Sequence, residues 1–134
     1  NLSPPLSLAP KWFKDHCAYT MAKYGMSLCV LGMAEEFREQ GVAVNALWPR
    51  TVIKTAAIAM LEGLVKPENC RTSEIVADAA HAILTRDSRT CSGNFFIDEE
   101  VLRELLLRTE LQAAVGSPAS VPSLLYSFQA DPVM

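Results

Sequence analysis

The chain has 134 residues, half of them hydrophobic and 20% charged, with a formal net charge of −3. That balance suits one globular domain with enough apolar mass for a core, and the scattered Lys and Arg argue against a nucleic-acid surface. The longest apolar stretch, Gly25 to Ala34, is about half of the ~20 residues that a membrane span needs.

The cysteines, Cys17, Cys29, Cys70 and Cys91, form no Cys-x-x-Cys pair. Scattered cysteines without framework spacing point to an intracellular, reducing compartment: cytoplasm, peroxisome or mitochondrial matrix. No metal site is expected, because His16 and Cys17 are adjacent and diverge, and His81 has no cysteine near it in sequence. No signal-peptide pattern opens the chain, and Asp131-Pro132-Val133-Met134 is not a peroxisomal or endoplasmic-reticulum address.

Asn1-Leu2 reads as the end of a buried strand. Residues 1–10 hold three prolines and two serines and read as a loop. Lys14 to Gln40 reads as one helix, with Gly41 at the position after it where a left-handed residue is needed. The middle of that helix, from Met21 to Ala34, is apolar almost all round. This predicts burial on two sides, against a sheet and against another helix or a second subunit. Glu35, Glu36 and Glu39 read as its solvated end. Val42 to Leu47 predicts a short buried strand of a parallel sheet, ended by Trp48-Pro49. Residues 55–64 are rich in Ala and Leu and predict a helix limited by Gly63 and Pro67. Thr72 or Ser73 caps a further helix with Glu74 in its first turn and Ile75, Val76, Ala79, Ile83 and Leu84 as its apolar positions. A second strand, Asn94 to Ile97, follows Gly93. Asp98 caps a last helix whose apolar side is Leu102, Leu105 and Leu106. From about Ala113 the pattern dissolves, so 1–112 is expected to be the folded part and 113–134 a loosely docked tail.

The order helix–strand–helix–helix–strand predicts α/β architecture, the C-terminal half of a Rossmann-like doubly wound parallel sheet. Two strands do not make a stable parallel sheet, so the remaining strands are expected from an N-terminal half or from another chain.

The chemistry-bearing motif is Tyr19-Thr20-Met21-Ala22-Lys23. Tyr and Lys four apart on a helix share a face. An ammonium beside a phenol favours the phenolate, and a tyrosine so tuned passes protons to and from an alcohol oxygen. The pair alone is a weak signal, and taken alone it favours a Tyr packed on the sheet with a Lys reaching solvent. Met21, Met26, Met33 and Trp48 read as packing residues, Cys17 as a small buried hydrophobe, and His16 and His81 as partly exposed structural residues.

The context of the motif resembles the short-chain dehydrogenase/reductase superfamily. Tyr19 and Lys23 match its Tyr-x-x-x-Lys at the start of a long interface helix, Val42–Leu47 with Asn45 matches its next strand, and Pro49 matches its Pro-Gly turn. Ser92-Gly93-Asn94-Phe95-Phe96-Ile97-Asp98 looks like its final strand. The resemblance runs through about residues 1–100 in order and spacing. It implies that Tyr19 is the general acid/base and that Lys23 holds the nicotinamide ribose and tunes Tyr19. Ser3, or less well Ser7, would bond the substrate oxygen. Pro49, Arg50, Ile53 (or Val52) and Thr55 would line NAD or NADP, with Ile53 at the carboxamide and Thr55 at the pyrophosphate. The substrate would be a small apolar alcohol or carbonyl compound, because the candidate lid Ala56–Leu64 is apolar. A homo-oligomer would form through Lys14–Gln40. The chain departs from the family pattern at several points: Ser3 lies sixteen residues before Tyr19 with Pro4 after it, Arg50 stands where the family has glycine, the Thr51–Thr55 loop is one residue longer, and no Gly-x-x-x-Gly-x-Gly loop is present. The second reading is therefore a non-catalytic remnant that dimerises through the same helix.

Overall fold

The computed structural model describes residues 1–60 and 66–114. The element order is a 3-10 turn Pro10–Trp12, α1 Cys17–Glu36, β1 Ala46–Trp48, α2 Ala56–Ala59, a 3-10 turn Pro67–Asn69, α3 Glu74–Leu84, β2 Phe95–Ile97 and α4 Asp98–Ala114. The architecture is α/β with a parallel sheet of the Rossmann type. The chain forms two compact units. Among the described residues, the first contains Asn1–Trp48 and Ile83–Ile97, and the second contains the rest of Pro49–Ala82 and helix α4.

In the first unit β1 pairs in parallel with β2, Ala46 facing Phe95, Leu47 facing Phe96 and Trp48 facing Ile97. On its other edge Leu47 forms a parallel bridge with Leu2, and its N–H donates to the Asn1 carbonyl at 2.8 Å. Leu2 thus lies in strand geometry as expected, but its side chain is half exposed rather than buried. Val30, Ala34, Ala46, Leu47, Ile83 and Cys91 are the buried apolar residues of this unit.

The proline-rich N-terminal segment is ordered by α1. Prolines remove backbone donors, so the carbonyls of such a segment need partners from elsewhere. Four side chains on α1 supply them. The Thr20 hydroxyl donates to the Trp12 carbonyl, Lys23 Nζ to Leu2 at 3.1 Å, the Tyr24 hydroxyl to Ser7 at 2.7 Å, and the Ser27 hydroxyl to Pro4 at 2.6 Å. The buried stripe of the helix is Thr20, Ser27, Val30 and Ala34. Within the single chain one side of the helix is buried and Met21, Leu28, Leu31 and Met33 are exposed, because a mixed stripe of Thr20, Ser27, Val30 and Ala34 takes the inner face. Met21 and Met33 are accordingly not core residues here, and Cys17 is exposed.

The helix is also shorter than Lys14–Gln40. Asp15 adopts φ +65°, which an α-helix does not accommodate, and His16 becomes the cap. At the other end the helix stops at Glu36 and a turn leads to Gly41, whose φ of +70° is the left-handed conformation anticipated for it. The strand expected at Val42–Leu47 begins only at Ala46. Val42 is exposed, and the next residues mix backbone and side-chain partners, with Gly93 N–H donating to the Val44 carbonyl at 2.8 Å. Val44 N–H donates to Ser92 Oγ at 3.0 Å. The Asn45 side chain bridges the Cys91 carbonyl at 2.8 Å and the Asn94 N–H at 3.0 Å. Trp48 lies within β1 rather than after it, and the strand ends before Pro49, which has no N–H to offer.

In the second unit Thr55 caps α2, its Oγ1 accepting from Ile58 N–H. Of the helix expected over 55–64, residues 61–65 lie outside those described. Ile53 and Arg71 form a parallel bridge. The Thr72 hydroxyl bonds the Glu74 carboxylate. With Glu74's own N–H and the Ser73 hydroxyl, it holds that carboxyl below its usual pKa at the start of α3. Among the described residues of this unit, Ala79, Val101 and Leu102 are the buried apolar ones. The last helix begins at Asp98 as expected and runs to Ala114; of the tail at 113–134, the stretch from 115 lies outside the described residues. Among the described residues no helix is long and apolar enough to cross a membrane.

Candidate active site

Tyr19 sits in the first turn of α1, half exposed, and Lys23 follows one turn later on the same face. The Lys23 ammonium lies 6.0 Å from the Tyr19 ring centroid and 5.6 Å from that of Trp48. It is anchored by its hydrogen bond to the Leu2 carbonyl. One donor is therefore committed to backbone, and the two aromatic faces steer the cation electrostatically. Trp48 was legible only as a packing residue. Its β1 position brings it to Lys23 through the sheet, and no spacing between residues 23 and 48 announces that meeting.

Ser3 and Ser7 separate cleanly. The Ser7 hydroxyl accepts from Ala9 N–H, and its backbone is engaged by Tyr24, so it serves the turn. Ser3 is fully buried, and its hydroxyl has no partner among the described residues. A buried hydroxyl left unmet costs about 1–3 kcal/mol, so such an orphan calls for an explanation.

The other residues singled out by the resemblance belong to the second unit and are described within it. Pro49 opens the segment. The Arg50 N–H donates to Asp98 Oδ1 at 2.9 Å, and its guanidinium pairs with Glu99 and Glu100. The bridge at Ile53 runs through Lys54 N–H to Arg71 O at 2.8 Å and Arg71 N–H to Val52 O at 3.0 Å. Parallel pairing of this kind leaves the amide and carbonyl of Ile53 itself out of the bridge. The Val52 carbonyl is taken up by that bridge. Thr55 spends its hydroxyl on the α2 cap.

Comparison with known proteins shows what the chain is similar to. It is 62% identical over 104 residues to hydroxysteroid dehydrogenase-like protein 2 of Rattus norvegicus, over 78% of this chain and 20% of that protein. The Homo sapiens protein of the same name is 58% identical over 104 residues, 78% of this chain and 24% of that one. A crystal structure from Xanthomonas campestris, assigned as a dehydrogenase, matches 97% of this chain and 47% of its own with a TM-score of 0.73 and 52% identity. A short-chain dehydrogenase from Mycobacterium thermoresistibile matches 78% of this chain and 37% of its own, with a TM-score of 0.69 and 48% identity. The aligned region thus spans about a quarter or less of these curated relatives and under half of these two structures. No family model matches the chain.

Proposed function

We propose, from the premise that this chain is similar to short-chain dehydrogenases in sequence and in structure, that it is the catalytic, C-terminal half of a nicotinamide-dependent oxidoreductase. The reaction would interconvert a secondary alcohol and a ketone. The observation that carries this reading is the Lys23 ammonium, fixed on the Leu2 carbonyl and facing the Tyr19 ring, with the orphan Ser3 hydroxyl next along the chain. Tyr19 gives its proton to the carbonyl oxygen in reduction and takes one from the alcohol in oxidation. Lys23 offsets the negative charge that the phenol oxygen carries once its proton has left, and its two uncommitted donors suit ribose hydroxyls. Ser3 donates to the substrate oxygen, where developing charge rewards a preplaced donor. NAD or NADP supplies or accepts the hydride when bound.

The residues fit such a group. The amide of Ile53 is left out of its own bridge and is free in geometry to meet a carboxamide, with Pro49 and Thr55 bounding the segment. Arg50, held by Glu99 and Glu100, acts on that segment by fixing it. The apolar start of the lid, Ala56–Ala59, favours a small apolar alcohol or carbonyl substrate. The exposed apolar residues of α1, Met21, Leu28 and Leu31, suit a second copy of the chain, as the homo-oligomer reading requires. That same face is what favours the second reading, a module that associates without catalysis. A reducing intracellular compartment fits the four free cysteines.

Titrating the purified protein with NADH and NADPH, followed by energy transfer from tryptophan, tests the first reading. Saturable binding with a Kd between about 1 μM and 1 mM is expected for one of them. Absence of saturation with both would leave the interaction module. Ser3→Ala makes a second, opposed pair of effects. Removing the unmet hydroxyl is expected to raise stability by about 1 kcal/mol in urea unfolding. The same change lowers kcat by about 10- to 100-fold through loss of the donor. A gain in stability with unchanged turnover would remove Ser3 from the site.

A further inference from the structure

The second unit carries a charge cluster that the reaction itself does not use. Glu99, in the first turn of α4, is only 13% exposed, and three guanidiniums converge on its carboxylate. Arg103 Nη2 lies 2.6 Å from Oε1, Arg71 Nη1 3.3 Å from Oε2, and Arg50 Nε 3.7 Å from Oε2. These arginines come from three separate stretches. Arg50 directly follows Pro49. Arg71 is the bridge partner of Ile53, bonded on either side of it to Val52 and Lys54. Arg103 is one turn along α4 and steadies Glu99 from its own helix.

We propose that Glu99 is a positioning residue for the Pro49–Thr55 segment, clamping its start through Arg50 and its strand partner through Arg71, and so setting the affinity for the nicotinamide group. The inference rests on the reading of that segment as the cofactor-holding one. A single carboxylate that faces three cations, only one of which also meets Glu100, is hard to replace. Without it the guanidiniums lose their shared counter-charge and repel one another. The outer faces of the arginines are solvated, so the clamp weakens with salt. Glu100 makes the closer contact with Arg50, but it is well exposed and, among these arginines, pairs with neither Arg71 nor Arg103.

The test is Glu99→Gln in the purified protein, with Glu100→Gln beside it, read in two ways. Without cofactor, amide hydrogen exchange at Lys54 and Arg71 is expected to quicken by about tenfold in Glu99→Gln, with exchange in β1 and β2 unchanged. With cofactor, Kd for NADH or NADPH rises by about tenfold while kcat at saturation and its pH profile stay within about twofold. Glu100→Gln, which loosens Arg50 alone among these arginines, leaves exchange at Lys54 and Arg71 near wild type. Arg71→Lys keeps the charge but loses the fork, and shows the same changes at smaller amplitude should Glu99→Gln not fold. Unchanged exchange, or exchange quickened evenly through both units, overturns the clamp. Nicotinamide binding that survives Glu99→Gln unweakened overturns the positioning role and keeps the dehydrogenase reading. Quickened exchange in a protein whose wild type takes no nicotinamide retains the clamp as architecture and overturns both the positioning role and the dehydrogenase reading.

Discussion

Replacing Tyr19 by phenylalanine is expected to lower kcat by about 10²- to 10⁴-fold, the range that a positioned general acid or base contributes. The substitution removes one oxygen from a side chain that is 58% exposed, so stability should move by less than about 0.5 kcal/mol. The ring that faces Lys23 is retained, and the bond from Lys23 to the Leu2 carbonyl does not involve Tyr19. Cofactor affinity should therefore hold within about twofold while turnover collapses, the signature of an interaction made only in the transition state. Steady-state kinetics together with nicotinamide fluorescence separate the two. A loss of less than about tenfold in kcat would take the proton-transfer role away from Tyr19.

The fold class was legible because apolar runs and caps mark the order of elements without tertiary information. Gly41 and Asp98 are local signals, and each stands where its chemistry places it. The ends of α1 were not legible. Nothing in a single sequence says that Asp15 turns left-handed, or that the carbonyls of the proline-rich segment recruit Thr20, Lys23, Tyr24 and Ser27 and so turn a mixed stripe inward. Tyr19 and Lys23 were found through helical spacing, which is local. Trp48 and Glu99 were missed because their partners lie 25 or more residues away, or on several segments at once. Ser3 and Ser7 carry the same chemistry in the same loop, and only burial tells them apart.

Asp98 should show the largest stability effect of any single polar residue among the described residues of the second unit. Its side chain is fully buried, and Oδ1 accepts from Glu99 N–H at 2.7 Å and Arg50 N–H at 2.9 Å. A carboxylate at a helix N-terminus gains from the aligned peptide dipoles as well as from these charge-assisted bonds. Against that gain, Oδ2 is buried with no partner among the described residues, so part of the desolvation cost goes uncompensated. Asp98→Ala removes the acceptor for both amides and leaves a small void, with an expected loss of about 2–4 kcal/mol. Asp98→Asn keeps Oδ1 and exchanges Oδ2 for an NH2 group, losing the charge but not the geometry, and should fall between the two. Urea unfolding at constant m-value measures the series. The Arg50 amide is the first donor after Pro49, so Asp98→Ala also frees the start of the segment that Glu99 clamps, and its nicotinamide Kd should rise with the stability loss. A cost below about 0.5 kcal/mol for Asp98→Ala would mean that both amides find water instead. The segment would then be held by the arginines alone.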